Sequence, residues 1–459
     1  YYSRFEGHPM LKRAITLLLT LLVSGIWLNP VQAQETAPVT VVASGLINPQ
    51  GFAFGSDGTL YVAEAGIGGD TMIDPAAPWM TGGTARFVRI DNGCPTTVVD
   101  TMPSARSTSG LTLGLGAVAI IGDRSFVLSA GGGESHANKD LPVSVIEVTG
   151  GSAVELADLS TWMHDNMENA PDADGIWVSL VPVPDGSGLV ALERLTGQVV
   201  RIGLDGTLTR LADLSSLGSE VSDLAFGSDG TLYAALFSAS PYAAGTSSVV
   251  SIGTDGTTTP VWTGLTMVSA ITVDAKGTIF AAEYSEARTE PPYFVPGSGQ
   301  IIRQNGIDQS VPVLAAINFP GDLAIGPDGA LFVSTANVGA DGGAGQILRI
   351  ASDSEGLNTQ SINLTGATCG DGLEAPTVKV SDYGFEPSTV TIQIGGTVVW
   401  RNVGEMDHAV ASATNSPLEW DSGVLTPGQE FILTFPDPGT YPYFDGLNPE
   451  RTGVIIVTT

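Results

Sequence analysis

Three observations predict an all-β chain, a six-bladed β-propeller followed by a smaller Greek-key β-sandwich. First, a hairpin built on an Asp-Gly turn recurs along the chain. Second, each copy is followed by another hairpin at near-constant spacing. Third, the pattern stops near residue 351 and a different strand alternation takes over. Asn48 to Glu64 shows the unit best: NPQGFAFGSDGTLYVAE places two apolar runs about Ser56-Asp57-Gly58-Thr59. Two apolar runs split by Asp-Gly are a hairpin signal, because glycine takes the positive φ a primed turn needs. The unit returns at Val221–Leu236, Val268–Glu283 and Phe319–Thr335, with weaker copies at Gly110–Ser129 and Gly175–Glu193. The second hairpins turn at Asn92-Gly93, Gly150-Gly151, Asp205-Gly206, Asp255-Gly256 and Asn305-Gly306, at spacings of 58, 55, 50 and 50 residues. Four strands in about 50 residues is the period of a propeller blade.

The chain opens with Lys12-Arg13, an apolar run from Ala14 to Val23, and the small-residue site Val31-Gln32-Ala33. This reads as a secretory signal peptide within residues 1–33, with translation starting at Met10 and cleavage after Ala33. A membrane anchor fits less well, because the run is short and Pro30 follows it. No later stretch is long and apolar enough to span a bilayer, so a secreted product is expected, periplasmic or extracellular.

Six units fill residues 39–351. The sixth lacks an outer strand after Gly345–Ile350, and Val39 to Ala43 supplies a strand with no blade of its own. The expectation is that this segment completes blade 6 and leaves no open sheet edge. The Asp-Gly turns then share one face. The long loops share the other: Gly66–Thr84, Gly131–Pro142, Ser238–Ser248, Ser285–Ser298 and Asn337–Ala344. Long loops on one face of a rigid scaffold are where binding concentrates. The crossing Leu159–Asp174 departs from the repeat and reads as a short helix capped by Ser160 and ended before Pro171, placed to cover the channel mouth. The Gly-rich runs at 131–133 and 339–343 lack the strand-to-helix context of a phosphate loop.

Val41-Val42-Ala43-Ser44-Gly45-Leu46, Asn48-Pro49, the run Leu60 to Gly66 and the closing Gly345 to Ile350 together resemble the ScyD/ScyE-type family of secreted six-bladed proteins. The resemblance is more distant to NHL and gluconolactonase-like propellers. It implies a closed ring and assigns no catalytic set.

Residues 352–375, rich in Ser, Asp, Gly and Thr, read as a linker. Residues 376–459 alternate with period two at Thr389–Ile394, as a sandwich strand does. Phe385-Glu386-Pro387, the run Gly395 to Asn402, His408, Asp421-Ser422-Gly423, Pro427-Gly428, Gly439-Thr440-Tyr441-Pro442-Tyr443 and Gly453 to Val457 resemble a plastocyanin- or azurin-like cupredoxin. The resemblance implies a blue-copper site of two His, one Cys thiolate and a weak axial ligand, often Met. In the family three of these lie on a Cys-x-x-His-x-x-Met loop after Gly-Thr-Tyr. Here the same spacing puts Asp445 for Cys, Asn448 for His and Arg451 for Met, leaving only His408. The site reads as degenerate, with blue copper rejected, His408 structural and an Asp445–Arg451 ion pair filling the position.

Within the propeller, Glu64, Glu193 and Glu283 end the second strands of blades 1, 3 and 5, and Asp223 and Asp322 sit near the start of inner strands in blades 4 and 6. Carboxylates converging on one point would suit Ca²⁺, which takes oxygen ligands; separate hydrogen bonds to neighbouring loops are the plainer reading and the preferred one. Two histidines lie in the propeller, His136 and His164. His136, in a loop with Glu134, Asn138, Lys139 and Asp140, is a candidate base without an evident partner acid and reads as solvated. Trp79 and Tyr293-Phe294 place aromatics in long loops, suited to stacking on a ligand or to packing on the ring.

The formal charge is −30, and loss of residues 1–33 takes it to −32. Such a charge repels nucleic acid and anionic lipid. The two cysteines, Cys94 and Cys369, can pair in an oxidising compartment or stay free. The functional expectation is a secreted binding or interaction protein presenting its loop face to a small molecule, a glycan or an extracellular protein. Two alternatives stand beside it: a metal-dependent lactonase or quinone-dependent sugar oxidoreductase, and an electron-transfer protein with an atypical copper site.

Overall fold

The structure, a computed structural model, describes residues 38–458 apart from 70, 75–76, 108–110, 171, 289, 291–292, 339–342, 363, 367–368, 370–376, 394–395 and 415. The signal-peptide reading of residues 1–33 lies outside the described residues.

Eight sheets form among the described residues. Blade 1 orders Pro49–Phe54, Leu60–Glu64, Ala77–Asp91 and Cys94–Ser107 from inside out, with Thr112–Leu113 on its outer edge. Blades 2 to 5 repeat this plan, with inner strands Leu115–Ile121, Trp177–Pro182, Val221–Phe226 and Val268–Val273. Blade 6 carries Leu323–Ile325, Leu331–Thr335 and Gly345–Ile350, and its fourth strand is the N-terminal Val39–Leu46. The inner strands neighbour one another in sequence order, and Pro49–Phe54 lies beside blade 6, so the ring is closed. The strand borrowed from the other end of the described chain covers the edge that blade 6 would otherwise expose.

The turn chemistry accounts for part of the acidic excess. In the first-hairpin turn Asp57 Oδ1 accepts from Thr59 N at 2.9 Å, and Asp185, Asp229 and Asp328 accept from the residue two ahead in the same way. These Asx-type bonds close the turn through the side chain. They hold the Asp57 and Asp229 carboxyls below their ordinary value, and at Asp185 the Ser187 hydroxyl leads and the turn bond adds to it. At Asn92-Gly93 both residues have positive φ, 52° and 84°, as a primed hairpin turn demands.

The sequence misjudges three local features. Part of the expected loop Gly66–Thr84 is a hairpin, Thr71–Asp74 pairing with the long strand Ala77–Asp91. The helix forms at Leu159–Asn166, but its N-cap is Asp158, which accepts from Thr161 N; the Ser160 hydroxyl instead accepts from Val143 N. The stretch after blade 6 is laid on the ring. Leu357–Asn358 adds to blade 5 in parallel with Ser310–Ile317, and Thr365–Gly366 adds to blade 6 beside Val39–Leu46. Cys369 then reaches blade 1 and is disulfide-bonded to Cys94.

The sandwich pairs a four-stranded sheet (Gly384–Glu386, Thr377–Ser381, Thr397–Asn402, Glu430–Thr434) with a five-stranded one (Thr389–Gln393, Asn448–Thr458, Gly439–Asp445, His408–Ser412, Asp421–Leu425). Trp400, Phe435, Tyr441 and Tyr443 fill the space between the sheets. Aromatic rings of this size supply most of the apolar burial in so small a core.

Candidate functional site

The inner strands surround a channel of about 1040 Å³. Their side chains stitch neighbouring blades together. Ser222 Oγ donates to Val268 O, Ser269 Oγ to Pro320 O, and Gln50 Nε2 to Asn337 O. Asp223 accepts from Ser179 Oγ of blade 3 at 2.8 Å and from Ile271 N of blade 5 at 2.8 Å. Asp322 accepts from Phe52 N of blade 1 at 2.9 Å and from Leu323 N at 2.7 Å. Both carboxylates line the channel. Burial raises both above the ordinary carboxylate value, and for Asp322 the negative field of Asp223 adds to it.

The long-loop mouth is aromatic. Tyr242 sits 5.0 Å from Phe294 and 6.1 Å from Phe237, and Tyr284 lies 5.7 Å from Phe294, centroid to centroid. Phe237, Tyr242, Tyr284 and Phe294 all line the channel. Arg194 lies over the Phe237 ring at 5.1 Å and donates to Glu220 at 2.6 Å. Leu111, Leu195 and Phe294, also on the wall, remain exposed. Tyr293 packs on Tyr242, 5.7 Å away.

The three glutamates do not join Asp223 and Asp322, because none of them lines the channel. Each has a local task at one fixed offset. Glu64, Glu193 and Glu283 accept from Ile47 N, Ile176 N and Thr266 N, each 17 residues earlier, at 2.8, 2.9 and 2.7 Å. The end of a second strand thereby grips the chain as it crosses into the inner strand. Glu193 also takes Thr196 N and Glu283 takes Gln300 Nε2. Glu64 pairs with the buried guanidinium of Arg86, which also reaches Asp437 of the sandwich at 3.3 Å. Among the described residues no group of three or more His, Cys, Asp or Glu is placed to hold a metal ion.

His136 departs from the expectation of a solvated loop side chain: it is fully buried. Its Nδ1 lies 2.6 Å from Gly132 O and its Nε2 3.0 Å from Asp172 Oδ2, while Trp79 meets its ring edge-on at 5.2 Å. Ser135 Oγ lies 2.6 Å from both Asp172 Oδ1 and Asp174 Oδ2, its single proton shared between them. His164 stands 3.8 Å from Asp174. With both His136 nitrogens taken up, the cluster fastens the blade 2 loop to the crossing from blade 2 to blade 3. Burial alone would lower the ring's pKa; the Asp172 carboxylate outweighs it and holds it above the ordinary value. A raised pKa in the folded state stabilises fully below the unfolded value and ceases to do so as pH rises through the folded one. The contribution of this group to the unfolding free energy is therefore expected to fall as pH rises from mildly acidic to mildly alkaline. Asp223 and Asp322, also raised in the folded state, add a decline of the same sign, so denaturant titrations should show a shallower decline for His136→Gln than for the wild type.

In the sandwich, the four positions of the lost copper site meet. His408 Nδ1 is 2.8 Å from Asp445 Oδ2, and Nε2 is 3.2 Å from Asp382 Oδ1. Arg451 Nη1 lies 3.2 Å from Asp445 Oδ2 and 3.3 Å from His408 Nδ1, and its Nη2 donates to Asp382 O. Asn448 Nδ2 approaches Asp445 Oδ2 at 3.5 Å. Asp445 also accepts from Ala409 N and Leu447 N. Burial pushes its carboxyl up, but the His408 bond and these amides bring it below the ordinary value. Blue copper does not fit here. A carboxylate stands in the thiolate position, the histidine's nitrogens both face carboxylates, and a guanidinium lies beside them. Asp382 was not foreseen from the sequence; no signal beyond its place next to a strand end marks it.

Residues 370–457 match the family model described as a cupredoxin-like domain. Plastocyanin from Scenedesmus fuscus is 35% identical over 68 residues, 13% of this chain and 69% of that protein. A purple cupredoxin from Nitrosopumilus maritimus is 23% identical and covers 18% of this chain and 99% of its own, with a TM-score of 0.17 over the whole molecule. A Thermus thermophilus structure described as a putative oxidoreductase (glucose dehydrogenase) covers 68% of this chain and 99% of its own, at 15% identity and a TM-score of 0.44. Through its C-terminal segment, with its plastocyanin relative and its two facing sheets, the chain belongs to the cupredoxin-like family.

Proposed function

We propose that the protein is a secreted small-molecule-binding protein whose ligand enters the propeller channel from the long-loop face, with the sandwich as an accessory module that does not transfer electrons through blue copper. The observation carrying this reading is the channel: about 1040 Å³, walled by all six blades, aromatic at one mouth and carrying two half-buried acidic residues, Asp223 and Asp322. Ligand sites are concave, mostly apolar and supplied with a few fixed polar groups, and a cavity of this size accepts a drug-sized molecule or a larger one. Secretion is supported by the disulfide between Cys94 and Cys369, a bond that persists in oxidising compartments. No helix among the described residues is long and apolar enough to cross a membrane. A Ca²⁺ site finds no support: Glu64, Glu193 and Glu283 are held off the channel in separate hydrogen bonds, and among the described residues no group of three or more His, Cys, Asp or Glu is placed to hold a metal ion.

Nile red, a neutral dye that brightens in apolar surroundings, tests the channel. The full chain is expected to bind it saturably. Thr272→Trp, which puts an indole into the channel wall, should abolish the emission gain while leaving the unfolding midpoint within a few degrees. Equal binding by the variant, or no saturable binding by the wild type, would remove the channel as the site.

A further inference from the structure

We propose that the channel selects an organic ammonium ion carried on an aromatic or aliphatic body; this rests on the channel being the binding site. The argument is one of unmatched acceptors. Asp223 and Asp322 face the channel with no Lys or Arg paired to either among the described residues. The cation on the wall, Arg194, is already committed to Glu220 and to the Phe237 face. The inner-strand donors are spent on the scaffold: Ser179 on Asp223, Ser222 on Val268 O and Ser269 on Pro320 O. On the acceptor side there is a surplus. The Asn337 Oδ1 atom, on the same wall, is buried and has no donor among the described residues. A buried acceptor without a donor costs free energy until something supplies one.

The ligand that relieves this arrangement brings N–H donors and positive charge and leaves the rest of its surface apolar. The mouth suits such a body. Ring faces carry negative potential and attract a cation within about 6 Å, and Tyr242, Tyr284 and Phe294 present rings around the entrance. The acidic chain as a whole draws cations toward it. A divalent metal ion is the weaker occupant, since two carboxylates without further charged ligands leave most of its coordination to water.

Phenethylamine, protonated at neutral pH, and its neutral isostere 2-phenylethanol are the probes, titrated calorimetrically into the full chain at pH 7.5. The amine is expected to bind at least tenfold more tightly. Asp322→Asn and Asp223→Asn should each reduce amine affinity about tenfold and leave the alcohol unchanged. Asp223 bridges two blades, so its variant can fail to fold; the wild-type pH profile then decides. Amine affinity should rise between pH 5.5 and 8 as the two carboxyls ionise. The other titratable groups on the wall, Glu220, Arg194, Tyr242 and Tyr284, are an ion pair and two phenols. Equal affinity for amine and alcohol, or a flat pH profile, overturns the ammonium inference while the Nile red result keeps the channel. Failure of all three probes to bind removes the channel reading itself.

Discussion

Glu64→Leu is expected to lower the unfolding free energy by about 3–5 kcal/mol, because it strands a guanidinium inside the molecule. Arg86 is buried against Glu64, and its other contact, Asp437, is mostly exposed at 63% of its side-chain surface. Asp437 therefore cannot replace the lost partner in a dry setting. Burial disfavours the charge on Glu64 and raises its pKa despite Arg86, so the pair is held together against a desolvation cost. Three further variants separate the terms. Asp437→Asn should cost under about 1 kcal/mol, as exposed ion pairs do. Arg86→Met should also destabilise, and Glu64→Leu with Arg86→Met should recover much of the loss. Denaturant unfolding of all four proteins reads this out, and a loss below about 1 kcal/mol for Glu64→Leu would show that water reaches Arg86. The site joins two parts of the molecule, since Glu64 also holds Ile47 N at the entry to blade 1 while Arg86 touches the sandwich.

Replacing Cys94 and Cys369 by serine is expected to cost about 4 kcal/mol. The bond closes a loop across a sequence separation of 275. In the chain-entropy account the penalty removed from the unfolded state grows slowly with loop length, which puts so long a loop near the upper end of the observed range, about 4–5 kcal/mol. Its position adds to this. Cys369 N donates to Ser44 Oγ, and Ser44 N donates to Gly93 O, so the bond lies where the closing strand, the blade 1 turn and the chain to the sandwich meet. Unfolding with and without a reductant gives the same comparison without mutation. An unchanged midpoint under conditions that fully reduce both sulfurs would refute the claim.

The sequence carried the ring because each hairpin announces itself locally. Asp-Gly turns, two-residue alternation and a period of about 50 residues are short-range signals. Closure by Val39–Leu46 was legible for a topological reason: one blade was a strand short and one strand had no blade. The channel chemistry was less legible. Asp223 and Asp322 were visible as residues, but their partners Ile271 and Phe52 stand 48 and 270 positions away, and nothing local marks them. The partner acid of His136 is 36 residues off in an irregular crossing. One signal in the sequence does mark a structural role. Glutamate at the end of the second strand lies 17 residues after its donor in blades 1, 3 and 5, and so regular an offset implies a structural bond before a shared metal. In the sandwich, the spacing of Asp445, Asn448 and Arg451 was enough to deny a thiolate, since that depends on residue type alone. The part played by Asp382 needed coordinates.

The strand that completes blade 6 is made before any of its partners. At ordinary elongation rates of about 5–20 residues per second, on the order of tens of seconds pass before Gly345–Ile350 exists to receive it. During that interval blade 1 lacks a neighbour on one side and a bare strand trails ahead of it. A nascent chain of this kind presents an open template for pairing with its own copies, so its yield on expression should depend on what shields the leading segment until synthesis ends.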